Sequence, residues 1–352
     1  MKKILLLASI SFLLVQCNKS VDLPELATDN DYKKFELKDR VCEVSQKVTL
    51  IENTNYTIED KNINYSFNLD GYLISDIIYN NENNIVEENN YEKLTLPVSK
   101  KQYINQENFS LLEFTYDSLK NLVNTKKLTN KNQIIEEQKN SYIGKNLEKE
   151  SYFIGGNSIP SKTIKFDRNG DFIKNKVIFS KEKTILDSIV YEYKGKNISK
   201  QTHFDSDKKL TGTEIYTYNN QLIKSILYLD AKGMEIASEL FEYNKNNQIT
   251  NKKSFTALDK TLYEEKNTYN DKNKIQKSEI LLNGSIIMTT NQTYDKYGNI
   301  IRFENKNLSN KENLEKTFIY TYDKKGNWIS KEVSFNNVPT YKVSRTIKYC
   351  NE

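Results

Sequence analysis

The chain has 352 residues, and its 52 lysines and arginines slightly outnumber its 47 aspartates and glutamates, giving a formal net charge of +5. Because the two signs are interspersed without a basic block, a nucleic acid is not expected among its partners. Only 37% of the residues are hydrophobic while tyrosine occurs 24 times. This composition argues against a thick, dry core and favours a thin sheet whose tyrosine hydroxyls stay hydrated.

The N-terminus has the pattern of a bacterial export signal. Two lysines precede an apolar run over residues 4–15, which is shorter than the roughly 20 residues of a membrane-spanning helix and typical of a cleaved signal. The run ends at residues 14–17, Leu-Val-Gln-Cys, which resembles the lipobox of lipoproteins except that Gln16 replaces a small residue. We therefore expect residues 1–16 to be removed and Cys17 to be lipidated, with an ordinary secretory signal as the alternative.

Lipidation would hold the exported protein at a bacterial membrane, for which we expect the outer membrane, with its periplasmic or surface-exposed side left open. Residues 17–31 contain Pro24 and several acids and are predicted to form a flexible tether. Residues 32–60 alternate weakly and are predicted to form a degenerate N-terminal capping repeat. A disulfide between Cys42 and Cys350 is allowed in an oxidising compartment, but two free thiols are the interpretation that we favour.

A repeat of about 25 residues fills the array predicted over residues 61–352. The last aromatic residue of each recurring strand marks one unit, and successive markers are 24 to 28 residues apart. The markers are Phe67, Tyr91, Tyr116, Tyr142, Phe166, Tyr193, Tyr218, Tyr243, Tyr269, Tyr294, Tyr322 and Tyr349. Each unit holds a first strand, a turn, a second strand and a looser turn, so the array should contain about two dozen strands.

The first turn of each unit has its own signature. Glycine or asparagine, which enter the left-handed backbone region at least cost, stands four residues after the marker at Gly71, Gly170, Asn247, Asn273, Gly298 and Gly326. The predicted fold is therefore all-β, a long antiparallel meander of hairpins. Because sheets of this size twist and curl, the meander should form a superhelical ribbon, an open shell or a barrel-like spiral.

The best turns resemble the unit of the YD-repeat (RHS-like) proteins. Tyr294-Asp295 is followed by Gly298, Tyr322-Asp323 by Gly326, and Phe166-Asp167 by Gly170. The resemblance implies a β-sheet ribbon that coils into a shell. Some family members enclose toxins, but only three residues follow Tyr349, so a toxin cargo is not expected. The chain resembles a repeat-containing bacterial lipoprotein of this family.

The sequence shows no catalytic signature. His203 is the only histidine, no paired cysteine motif suits a metal, and no glycine-rich phosphate loop opens a helix. Asp295 and Asp323 occupy turn positions that favour aspartate for structural reasons. We expect neither a cofactor nor a metal, although the abundant carboxylates leave a polysaccharide hydrolase as an alternative.

The aromatic strands have two interpretations. Tyr320 and Tyr322 are two residues apart and share a face, so neighbouring units should align their rings in ladders that stabilise the sheet. An exposed platform for a ligand is the second interpretation, with Trp328, Tyr320, Tyr322 and Tyr294 as its candidate residues. The leading functional hypothesis is a non-enzymatic envelope lipoprotein that presents a repeated surface to a protein or glycan, and a mechanical spacer is a further alternative. The oligomeric state is left open.

Overall fold

The computed structural model describes residues 30–52, 56–92, 96–105, 107–257 and 260–350. The export signal, Cys17 and the first part of the predicted tether therefore lie outside the described residues. A short 3-10 helix, Tyr32–Phe35, precedes 24 strands. The strands are β1 Val41–Leu50, β2 Asn62–Phe67, β3 Leu73–Tyr79, β4 Ile85–Glu92, β5 Leu96–Tyr103, β6 Phe109–Tyr116, β7 Leu122–Thr129, β8 Ile134–Ile143, β9 Asn146–Ile154, β10 Lys162–Asn169, β11 Phe172–Ser180, β12 Ile185–Lys194, β13 Asn197–Asp205, β14 Leu210–Asn219, β15 Leu222–Asp230, β16 Glu235–Tyr243, β17 Ile249–Thr256, β18 Thr261–Tyr269, β19 Ile275–Leu282, β20 Ser285–Tyr294, β21 Ile300–Asn307, β22 Glu312–Tyr322, β23 Trp328–Phe335 and β24 Val338–Tyr349.

The strands form one closed antiparallel barrel. Each strand pairs with the next along the chain. β1 also pairs with β24 along its whole length, from Val41 opposite Tyr349 to Leu50 opposite Tyr341. The predicted all-β hairpin meander is confirmed. Of the three shapes left open by the sequence, the open ribbon and the open shell do not form, because the first and last strands join.

The turns that follow six of the marker residues are built by an Asp or Asn side chain. Oδ1 of Asp295 accepts hydrogen bonds from the N–H groups of Tyr297 at 2.8 Å and Asn299 at 2.9 Å. The same pair of bonds recurs at Asn68, Asp117, Asn244, Asn270 and Asp323. A carboxylate or amide in this position adds side-chain bonds to the turn that the backbone carbonyl of the same residue also closes, as in the bond from the Gly298 N–H to the Asp295 carbonyl.

Five of these six turns have glycine or asparagine as their left-handed residue, as the sequence predicts, whereas the Asp117 turn has Lys120 at φ 62°. Gly71, Gly170, Asn247, Asn273, Gly298 and Gly326 all have positive φ, between 61° and 95°. Gly298 has a second constraint, since an added Cβ would lie 2.9 Å from Nζ of Lys274. The turns of the other edge were expected to be looser, but several have the same geometry. Asp205 bonds the N–H groups of Asp207 and Lys209, and Lys208 takes φ 62°.

Hydroxyl groups of the marker tyrosines join consecutive units. The hydroxyl of Tyr243 donates to the carbonyl of Ile223, near the start of β15, at 2.8 Å. Tyr116, Tyr142, Tyr193, Tyr218, Tyr269 and Tyr294 make the corresponding bond 19 or 20 residues back. Tyr322 and Tyr349 donate instead to the turn carboxylates of Asp295 and Asp323. These bonds join each unit to the preceding one, although the markers Phe67 and Phe166 keep the same spacing without a hydroxyl.

The sheet has two chemically different faces. The tyrosine face, defined by the alternate positions that carry the marker aromatics, also holds both buried apolar clusters. On the opposite face, which we call the salt-bridge face, Glu137 lies between Lys126 and Lys139 at 3.9 and 3.3 Å. Glu264 lies between Lys253 and Lys266 at 3.5 and 3.3 Å. Most strand residues are half-exposed, so the barrel wall is a single thin layer.

The core is concentrated where the barrel closes. One cluster contains Val41, Val44 and Phe67, and the other contains Val333, Tyr341 and Val343. Cys42 and Cys350 form a disulfide there, with their Cα atoms 5.0 Å apart. The interpretation of two free thiols is therefore wrong, because the sheet brings the two ends of the body together.

Among its described residues, the unit predicted as a capping repeat over residues 32–60 contributes one strand, β1. β1 forms hydrogen bonds with β2 on one side and with β24 on the other. It therefore closes the barrel and does not cap the edge of an open sheet. Residues 56–60 then pack on the tyrosine face, where Asp60 accepts hydrogen bonds from Lys331 at 2.7 Å and Tyr341 at 2.9 Å. Tyr56 stacks on Phe335 with ring centroids 4.4 Å apart.

Candidate functional site

The N-terminal segment, residues 30–40, is fixed across one edge of the barrel. This Tyr–Asp edge carries the turns that follow the even-numbered strands β2 to β22. At one end of the segment, Oδ2 of Asp31 accepts the N–H of Leu73 at 3.0 Å. At the other end, the main chain of Lys38 exchanges two hydrogen bonds with the Asn327 side chain, at 2.6 and 2.9 Å. The segment thus connects turns from the first and the last unit.

Trp328 is buried beneath this segment. Only 3% of the residue is exposed, its Nε1–H donates to Oε2 of Glu36 at 2.9 Å, and the Arg345 guanidinium lies 3.4 Å from its ring centroid. Burial lowers the pKa of Arg345 to about 10, and the Glu36 carboxylate opposes that effect. Trp328 is therefore a buried residue of the closing core, and its part in a ligand platform stays a prediction.

Tyr320 and Tyr322 continue the aromatic cluster toward solvent. The Tyr320 ring lies edge-on to Trp328 at 5.9 Å and stacks on Tyr322 at 6.1 Å. Tyr297 packs on Tyr322 at 4.3 Å and is 41% exposed. The sequence analysis did not identify Tyr297 as a site residue. It is an aromatic residue at the tip of a turn where other units have polar residues, and that difference could have indicated a binding residue.

A cavity of about 700 Å³ lies between the N-terminal segment and the turns. Its wall includes Tyr297, Tyr322 and Trp328 together with Lys33, Lys34, Lys38, Lys274, Glu36 and Asp39. Nζ of Lys38 lies 4.2 Å from the Tyr297 ring centroid, a cation–π contact. Lys325 bonds Asp39 and holds the pKa of that carboxyl below its usual range. The cavity thus offers aromatic surface and ammonium groups to a ligand.

Tyr294 lines a separate, smaller cavity of about 280 Å³ on the same edge, beside Asp295 and Gln292. Its hydroxyl bonds the Ile275 carbonyl at 2.7 Å and the Gln292 side chain at 2.6 Å. The structure therefore gathers Tyr320, Tyr322 and Trp328 at one place and leaves Tyr294 one unit away.

The carboxylates on the tyrosine face include one close pair. Asp76 and Glu87 both accept hydrogen bonds from Nδ2 of Asn89, at 3.0 and 2.9 Å. Burial raises the pKa of Asp76, although Asn89 and Tyr91 donate to its carboxylate. The bond from Asn89 to Asp76 joins β4 to β3.

His203 lies on the tyrosine face with Nε2 3.3 Å from Oε1 of Glu214. The hydroxyl of Tyr216 donates to the same carboxylate.

Within the described ranges, no group of three histidine, cysteine, aspartate or glutamate side chains is arranged to hold a metal ion. The part of the chain that the structure describes also contains no helix with the length and apolarity needed to cross a bilayer.

Comparison with protein-family models finds no match, and no curated protein sequence matches the chain. Among solved structures, the TcdB2–TccC3–TEV crystal structure aligns with 85% of this chain and 19% of its own, at 10% identity and a TM-score of 0.31. A porin-like protein from Bacteroides uniformis aligns with 71% of this chain and 96% of its own, at 14% identity and a TM-score of 0.28. Hsv2 from Kluyveromyces lactis aligns with 82% of this chain and 96% of its own, at 10% identity and a TM-score of 0.21. These scores are too low to carry an argument about function or location.

Proposed function

We propose that this chain is a membrane-anchored lipoprotein of the bacterial cell envelope that binds a protein or glycan without catalysing a reaction. The observation that carries the proposal is the cavity at the Tyr–Asp edge. Its exposed Tyr297, the Tyr322 ring and the surrounding lysines suit a ligand that has both apolar and acidic groups. A closed scaffold holds these side chains in place, as a binding site requires.

The surface chemistry supports a body that lies in water beside the membrane. Both faces of the barrel wall carry ion pairs, such as Lys126–Glu137–Lys139 on the salt-bridge face and Lys252–Glu239 on the tyrosine face, and charged side chains are costly in contact with lipid. Attachment would then depend on the lipid at Cys17.

The anchor is tested by fractionating cells that produce the Cys17→Ala chain, which should leave the membrane fraction. Retention on membranes after a salt wash would refute the anchor.

Binding is tested by capture from membranes of the native organism after chemical cross-linking. The Tyr297→Ser chain should lose at least one partner that the unmodified chain captures, because Tyr297 is the exposed aromatic residue of the cavity. Ile104→Ser is a matched control, since Ile104 is 83% exposed and lies on the opposite edge. Identical capture by all three proteins would contradict the proposed site.

A further inference from the structure

We propose that the Tyr–Asp edge faces the membrane and that an arc of lysines on it binds anionic lipid headgroups. The orientation rests on the proposed anchor at Cys17, whereas the binding of headgroups rests on the charge of the edge itself. The partner is a phospholipid surface with net negative charge.

The charge of the arc comes from successive turns of the later units and from the N-terminal segment. Its lysines are Lys33, Lys34, Lys38, Lys194, Lys196, Lys245, Lys272, Lys274, Lys296, Lys324 and Lys325, and all are exposed. The accompanying carboxylates are fewer: Asp31, Glu36, Asp39, Asp271, Asp295 and Asp323. With Arg40 of the N-terminal segment, twelve positive charges against six negative ones leave a net charge of +6 on this arc.

Two contacts within the arc preserve its positive charge. Nζ of Lys272 donates to the main-chain carbonyl of Lys296 at 3.0 Å, and Lys274 donates to the carbonyl of Gly298. Because a carbonyl is neutral, these bonds join neighbouring turns without cancelling either ammonium charge. Lys34 and Lys325 pair instead with Asp31 and Asp39. Lys272 and Lys274 keep an uncompensated charge that attracts phosphate groups over about one Debye length from the surface.

The opposite edge of the same units is nearly balanced in charge. Among its described residues, Lys181, Lys183, Lys208, Lys209, Lys232, Lys260 and Lys311 are accompanied by Glu182, Asp205, Asp207, Asp230, Glu235 and Glu312. Seven lysines against six carboxylates leave a net charge of +1 on the opposite edge. The positive charge is thus a property of one edge and not of turns in general.

The chain enters the barrel at the basic edge. Asp31 and Lys38 fix the N-terminal segment to the Tyr–Asp turns, and Cys17 lies thirteen residues before Asn30. Thirteen residues span at most about 45 Å when fully extended. A strand of nine residues already covers about 30 Å, so the anchor reaches the basic edge more readily than the opposite one. The positive charge of the edge and the position of the anchor therefore favour the same orientation. This agreement favours a membrane surface over a soluble polyanion as the partner of the edge.

The test measures binding of the purified Cys17→Ala chain to lipid vesicles by flotation, which removes any contribution of the anchor. Vesicles of phosphatidylcholine alone are compared with vesicles containing 30% phosphatidylglycerol. The edge variant replaces Lys194, Lys196, Lys245 and Lys324 with glutamine. The matched control replaces Lys131, Lys181, Lys209 and Lys232, on the opposite edge, with glutamine.

We expect the parent chain and the control to bind only the anionic vesicles, and the edge variant to bind them about ten-fold more weakly or worse. No preference for anionic vesicles, or equal losses in both variants, would overturn the inference. So would binding of the parent to heparin but not to vesicles, which would identify a soluble polyanion as the partner. Because the chain lacks the lipidation site, a negative result here is separate from failure of the proposed anchor or of the Tyr297 site.

Discussion

At the scale of single residues, the aspartate of the repeat acts through its neighbours. Asp295 accepts three hydrogen bonds: the N–H groups of Tyr297 and Asn299 close its turn, and the hydroxyl of Tyr322 reaches it from the next unit. Burial alone would raise the pKa of Asp295, but these bonds outweigh burial and hold the pKa below its ordinary value of 3.8. The charged form of Asp295 is therefore part of the folded structure.

This arrangement predicts an acid-dependent effect of Tyr322→Phe. Since the folded pKa of Asp295 is lowered, its contribution to stability is present above about pH 4 and is lost as the pH falls through the folded pKa. Above pH 4 the variant should lose about 1.5–3 kcal/mol of unfolding free energy, the range for a hydrogen bond to a charged group. The loss should shrink below the folded pKa, as measured by urea unfolding across pH 2–7.

Tyr243→Phe is the matched control, because its hydroxyl donates to the neutral carbonyl of Ile223 at 2.8 Å. Its loss should be about 1 kcal/mol and independent of pH in this range. Parallel pH profiles for the two variants would contradict the role given to the Asp295 carboxylate.

At the scale of elements, the sequence predicted the strands well and the site less well. The spacing of the marker residues predicted the number of strands, because each unit of about 25 residues contains two strands. The second turns were underestimated since Lys183, Lys208 and Lys311 take positive φ, near 60°, where sequence reasoning expects glycine or asparagine. The burial of Trp328 agrees with the packing interpretation of the aromatic strands, but its hydrogen-bond partner Glu36 is 292 residues away in the chain and could not be read from the repeat.

The unit structure predicts that a whole repeat can be removed. Deleting residues 219–243 joins Tyr218 to Asn244, whose turn over residues 244–248 then follows a marker tyrosine as before. Since each strand pairs only with its neighbours, we expect a folded barrel of 22 strands with native-like circular dichroism and protease resistance. A mechanical spacer would also retain its function in this variant.

Deleting residues 219–242 is the control, because it leaves one extra residue before the same turn. That residue shifts the register and moves the following side chains to the opposite face. Lysines and glutamates of the salt-bridge face would then occupy tyrosine positions, and we expect little soluble protein. Equal folding of both deletions would mean that the register does not specify the fold.

At the scale of the whole molecule, closure protects a sheet that has only a small core. An unpaired β1 or β24 would expose 10 or 12 residues of edge strand, and such edges promote association between chains. The buried clusters, the N-terminal segment and the disulfide all lie at this closure. The contacts that stabilise the fold are therefore concentrated at the junction of β1 and β24. The repeat pattern could not predict this, because these contacts join residues from the two ends of the chain.

The disulfide should accordingly control whether the barrel stays closed. Cys42 and Cys350 are 308 residues apart in sequence, so their bond constrains nearly the whole unfolded chain, and its loss should cost about 2–5 kcal/mol. The Cys42→Ser/Cys350→Ser chain should unfold at lower urea concentration and aggregate as protein concentration rises, as followed by circular dichroism and light scattering. Reductant should bring the unmodified chain to the same midpoint and leave the double variant unchanged. If reductant changes neither protein, pairing of β1 with β24 alone keeps the barrel closed.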